Sequence, residues 1–127
     1  MSKYPVELKS HLDQAITNLQ SANDALGKGQ YDTAVSHAAE SAFHTGSVLL
    51  LNEDKDPGEL GDVNTLLQQI FVQGRRLTKE QGANLGWLLA LRNAEIRTSG
   101  TLTAEEAHRA VEIAHSFFES AKVILDS

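Results

Sequence analysis

The chain has no cysteine, two prolines and one tryptophan, and aromatic residues are 6% of its 127 residues. Without thiols it has no disulfide, no thiolate nucleophile and no cysteine-based zinc site. That composition suits a reducing compartment, and we read the protein as cytoplasmic. Long apolar runs are missing too. The longest, around Val48–Leu51, is far too short to span a bilayer, and the polar opening Ser2–His11 does not read as a signal peptide. Positive charge is scarce: 11 Lys and Arg stand against 17 Asp and Glu, a net charge of −6. This argues against indiscriminate coating of nucleic acid, although it leaves room for a local basic site. The cations are unevenly spread, since Arg75, Arg76, Lys79, Arg92 and Arg97 all fall between Gln73 and Arg97.

What remains is 41% apolar and 22% charged, the composition of a globular protein. We expect one domain over residues 1–127, with a radius of gyration of about 14 Å. Leu8, Leu12, Ala15, Leu19, Ala22 and Leu26 recur at spacings of four and three, which predicts a helix over Pro5–Leu26. "GKGQ" ends it. A second helix over Tyr31–Leu51 has Val35, Ala38, Ala39, Ala42, Gly46, Leu49 and Leu50 as its core face, mostly small residues that admit a close neighbour. Acidic "NEDKDPGELGD" (Asn52–Asp62) reads as the one long loop. A short third helix covers Val63–Val72. "TKEQ" at Thr78 is a capping box for a fourth helix reaching Arg97, and "TAEE" at Thr103 is another for a fifth helix reaching Leu125. No segment alternates with period two. The expectation is an all-α, antiparallel up-and-down bundle of four to five helices. The Gly-x-Tyr-x-x-Ala opening of the second helix has the look of a tetratricopeptide hairpin, but the period never recurs.

Two patterns invite a metal reading. Glu112 and His115 form a Glu-x-x-His, the spacing used by di-iron carboxylate bundles, but Glu40 and His44 are four apart and the second copy is missing. His108, Glu112, His115 and Glu119 also lie on a polar flank of the fifth helix, not on its apolar face. We therefore expect no metal and no cofactor. On the second helix His37, Glu40, Ser41, His44 and Ser47 form a polar strip opposite the core face; the two histidines are about 10.5 Å apart along the axis, too far to share an ion. As a solvent-facing strip it is unremarkable. Beside a cleft it would supply a base or donors near neutral pH.

Arg92 is the misplaced residue. With Leu85 at zero on a helical wheel, Leu88, Leu89 and Ile96 fall at about 300°, 40° and 20°, and Arg92 at about 340°, inside the apolar stripe. A pair with Glu95 would explain it structurally, and Arg97 suits a helix C-terminus. The alternative is that Arg92, flanked by Asn93, faces a seam or cleft and grips a phosphate with its fixed donors.

The order of these motifs resembles the small prokaryotic HEPN-domain family, often encoded beside a minimal nucleotidyltransferase. Gly29, Tyr31, Ala34, Val35, Ala38, Phe43, His44 and Leu49–Leu51 keep step with its second-helix pattern, and "FVQGRRLTKEQG" matches the segment before its fourth helix. "LRNAEIR" stands where the family carries Arg, a polar residue and then a His or Tyr. The resemblance implies a homodimer whose signature residues line one cleft, and a phosphate- or RNA-binding site of Arg92, Asn93 and Arg97. It further implies a toxin–antitoxin or regulatory component, with a nucleotidyltransferase antitoxin as its partner. Active members are metal-independent endoribonucleases, and for that role the candidates here are Arg92, Arg97 and His44. Arg97, however, occupies the family's His or Tyr position, and arginine does not exchange protons at neutral pH. A binding module with a degenerate nuclease motif is therefore favoured over an active ribonuclease toxin, and a metal-binding bundle is the third alternative.

Overall fold

Pro5 stands in the first turn of helix α1 (Pro5–Gly27) in a computed structural model that describes residues 3–91 and 102–126. There its missing N–H costs nothing and its fixed φ suits the helix. At the far end Gly29 takes φ +72° and Gln30 N–H bonds the Ala25 carbonyl, turning the chain back within three residues into α2 (Tyr31–Asn52). The loop expected over Asn52–Asp62 contains a single turn of helix, α3 (Pro57–Leu60), capped by the Asp56 side chain. Helix α4 (Val63–Leu67) is capped by Asp62 and runs on as a π-helical turn over Gln68–Val72. The Thr78–Gln81 capping box opens α5 (Lys79–Ala90), with Leu91 as its C-cap. Thr103 and Glu106 exchange the hydrogen bonds of the second predicted box ahead of α6 (Ala104–Asp126). No strand occurs among the described residues. The predicted turns of the fourth helix beyond Leu91 lie outside the described residues.

Fourteen of the 22 residues of α2 are buried, so α2 is the central helix of this all-α bundle. Helix α1 lies antiparallel along it: His11 meets His44, Ala15 meets Ser41, and Asn18 meets His37. Helix α6 packs a stripe of small residues (Ala107, Ala110, Ala114, Ala121) with Phe117 into the core. Helix α4 approaches α2 at Gly46, where a Cβ would stand 2.8 Å from Leu67 Cδ1 and 2.9 Å from Val63 Cγ1. Any side chain at Gly46 would require Leu67 or Val63 to shift. Leu85, Leu88 and Leu89 of α5 and Phe71 of the π turn close the core.

The polar strip of α2 is not a solvent face. Ser41 and Ser47 are fully buried and His44 is buried: α1 answers Ser41 and His44 with Ala15 and His11, and Ser47 donates to the Phe43 carbonyl of its own helix. Buried polar groups persist only when they are so paired.

Candidate functional site

The motif follows α5 in the sequence, and three local features set the course of α5. The capping box fixes where α5 starts. Gly82 lets the helix lie against the π turn, where a Cβ would meet Gln68 Oε1 and Val72 Cγ2 at 2.8 Å, and Gln68 Nε2 donates to the Gly82 carbonyl. Leu85, Leu88, Leu89 and Leu91 then bury the core face up to the last described residue of the segment. Arg92, Asn93 and Arg97 themselves lie outside the described residues.

Beside α5 runs a groove of about 690 Å³ between it and α6, lined in part by Gln81, Asn84, His108, Arg109, Glu112 and Ser116. Gln81 Nε2 reaches across to Ser120 Oγ at 2.9 Å, and the Arg109 guanidinium lies 4.3 Å above the Trp87 ring, a cation–π contact. Glu80, Glu105 and Glu112 border the same groove. With three carboxylates against Arg109 and a histidine, it is a poor seat for a polyanion.

Several other basic residues are held in local contacts or turns. Arg75 takes φ +63° in the turn ahead of α5. Arg76 pairs with Glu53 and its guanidinium lies 4.3 Å above the Phe71 ring, tying that turn to the end of α2. Lys9 and Lys122 pair with Asp13 and Glu119 on their own helices.

His44 sits in a different setting from the one its sequence position suggests. It is 8% exposed, with Nδ1 2.8 Å from Nδ1 of His11 and Nε2 3.7 Å from the Glu40 carboxylate. His11 lines a hollow of about 450 Å³ together with Tyr4, Glu7, Phe43, Asp56 and Asp62. Burial pushes the His11 pKa below the ordinary histidine value, and the nearby Asp56 charge offsets only part of that. At neutral pH His11 is therefore an uncharged ring. Sequence reasoning passed over His11, which stands at the edge of the α1 apolar stripe. Its one signal was that antiparallel pairing sets it opposite His44 just as it sets Asn18 opposite His37.

The metal motif does not assemble. Glu112 lines the groove beside α5, whereas His115 Nε2 lies 2.8 Å from the side-chain amide of Asn23 on α1. Among the described residues no three His, Asp or Glu side chains are grouped to hold a metal ion. Likewise none of the described helices is long and apolar enough to cross a membrane.

A sequence model of one protein family, the HEPN domain, matches residues 8–124, which is nearly the whole chain. No curated protein sequence matches the chain closely enough to count as a relative.

Proposed function

Because this chain belongs to the HEPN-domain family, we propose that it binds RNA or nucleotide phosphates through Arg92, Asn93 and Arg97, in a cleft formed by two copies of the chain. The observation that carries this reading is the Arg-Asn-x-x-x-Arg motif of "LRNAEIR" standing at the family's signature position within a family match that spans residues 8–124. Two structural facts support it. The two grooves described above are both bordered by carboxylates, which repel phosphate. The described arginines near α5, Arg76 and Arg109, are engaged with Glu53 and Phe71 and with Trp87. The motif arginines stand next in the chain after the exposed Arg75 and Lys79, and we assign the phosphate contact to them on the motif's position.

In this reading the protein is a cytoplasmic regulatory or toxin–antitoxin component that pairs with itself and with a nucleotidyltransferase antitoxin. Guanidinium groups suit the task because they stay charged and grip phosphate oxygens in pairs. Binding without turnover follows from Arg97 at the position where a titrating side chain would act.

Light scattering on the pure protein, with fluorescence anisotropy of a short labelled RNA, tests the proposal. The expected result is a dimer whose affinity for RNA falls steeply with salt, as counterion release requires. A monomer at micromolar concentration, or RNA affinity indifferent to salt, would refute it.

A further inference from the structure

The contact between His11 and His44 carries chemistry that a phosphate cleft does not use. Their Nδ1 atoms are 2.8 Å apart, the ring centroids are 5.0 Å apart, and the Phe43 ring stands edge-on to both. A contact that short holds one proton. Two N–H groups facing each other repel, and so do two lone pairs. The Glu40 carboxylate, 3.7 Å from His44 Nε2, decides the polarity. A lone pair facing that carboxylate is repelled and an N–H is attracted, so His44 carries its proton on Nε2. Its Nδ1 is then the acceptor and His11 Nδ1–H the donor.

We propose that this pair is a proton-counting latch between α1 and α2, shut when the two rings share no extra proton or one, and open when both are imidazolium. The first extra proton goes to His11 Nε2. His11 Nδ1–H still points at His44, and the bond becomes charge-assisted. A second proton can go only to His44 Nδ1, the acceptor itself, so the bond is lost and two cations face each other with ring centroids 5.0 Å apart. Among the described residues, the charged groups bordering the pair and its hollow include Glu7 from α1, Glu40 from α2, Asp56 ahead of α3 and Asp62 ahead of α4. All four are carboxylates, while Lys9 on α1 is paired with Asp13. This negative charge offsets part of the burial cost of the first proton and softens the repulsion of the second. It cannot restore the lost acceptor. Opening frees the first half of α1, which with the preceding Tyr4 sets Glu7 and His11 along one wall of the hollow, so acid widens that hollow while the rest of the bundle stays packed.

Long-range proton–nitrogen NMR spectra of the full chain with ¹⁵N-labelled histidine test the latch. At about pH 7.5, above the ordinary histidine range, His44 should be the Nε2–H tautomer and His11 the Nδ1–H tautomer. Finding both rings as Nε2–H overturns the proposal. As pH falls toward about 5, the two rings should titrate in linked steps that belong to the pair, and His11→Asn should leave His44 a single step. Two independent single steps in the natural chain overturn it. Hydrogen exchange supplies the conformational readout: amides in the first half of α1 should speed up about tenfold over that pH span relative to those of α6. An equal change in both helices marks global loosening and also overturns the latch. If His11→Asn does not fold, the tautomers and the exchange pattern of the natural chain still decide.

Discussion

Ser41 Oγ, fully buried on α2, donates to the Ala15 carbonyl oxygen on α1 at 2.8 Å. The bond lies between the His37–Asn18 and His11–His44 contacts, so three polar rungs join the two helices at successive levels. Apolar packing alone tolerates a slide of one helix along another, but buried polar groups do not, because a slide leaves each of them unpaired. The rungs therefore fix the register of α1 on α2. Ser41→Ala is expected to cost about 1 kcal/mol, the net worth of one hydrogen bond, measured as a lower urea midpoint with an unchanged slope. An unaltered midpoint would show that the rung adds nothing to stability.

The pH dependence of stability follows from His11. Burial lowers its pKa in the fold below the 6.5 of an unperturbed histidine, with the Asp56 charge opposing in part. As pH falls below 6.5 the unfolded chain takes up the proton first, so it binds more protons than the folded chain. Stability from this group is thus complete above that value and declines as pH drops through it toward the folded pKa. Urea midpoints should be lower at about pH 5.5 than at about pH 7.5, and His11→Phe should shrink the difference. A difference of the same size in the variant would assign the effect to other groups.

Two neighbours on α2 should respond in opposite directions when each receives a methyl group, one in exchange for a hydroxyl and one in place of hydrogen. Thr45 is 2% exposed and its Oγ1 has no hydrogen-bond partner among the described residues. Thr45→Val replaces a desolvated hydroxyl by a methyl group of similar size, and should stabilise by about 1 kcal/mol. Gly46→Ala puts a methyl group where Leu67 and Val63 already stand. It should destabilise by about 1–3 kcal/mol, the range for overpacking a core. Thermal unfolding of the two variants checks both signs. A stabilised Gly46→Ala would mean that Leu67 and Val63 yield without cost.

Helix positions were legible because periodicity and caps both mark them. The Thr78 and Thr103 boxes form as read, and α1, α2, α4 with its π turn, and α6 fall within a residue or so of their expected ends. Helix α3 was hidden inside an acidic, proline-containing stretch, since a single turn capped by Asp56 has no room for a period. Polarity leaves the strip His37, Ser41 and His44 open to two readings, a solvent face or a cleft wall, and the structure instead covers it with α1. A central helix has no solvent face, and centrality is a property of the whole bundle that no local window contains. Of the candidate site, the helix leading to Arg92 was legible. The His11 partner of His44 shows only once α1 and α2 are paired antiparallel, because no local window holds two residues 33 apart.

The final prediction separates binding from catalysis at the motif. Arg92→Ala should weaken RNA binding by about 1.5–3 kcal/mol, the worth of a charged hydrogen-bonding group. Arg92→Lys should recover only part, because an ammonium keeps the charge but lacks the two-pronged fork. The natural chain should cleave RNA very slowly or not at all, since Arg97 stands where the family carries a titrating side chain. Arg97→His supplies a ring with a pKa near neutrality and should raise cleavage without tightening binding. Gel assays of a labelled RNA, with Arg92→Ala beside Arg97→His as the control, read both effects. Rapid cleavage by the natural chain, abolished by Arg92→Ala, would show an intact catalytic site in which Arg97 stabilises the phosphorane charge while another group moves the proton. If Arg92→Ala instead lowers the unfolding midpoint and leaves RNA affinity unchanged, Arg92 is a structural arginine and the phosphate-cleft reading fails.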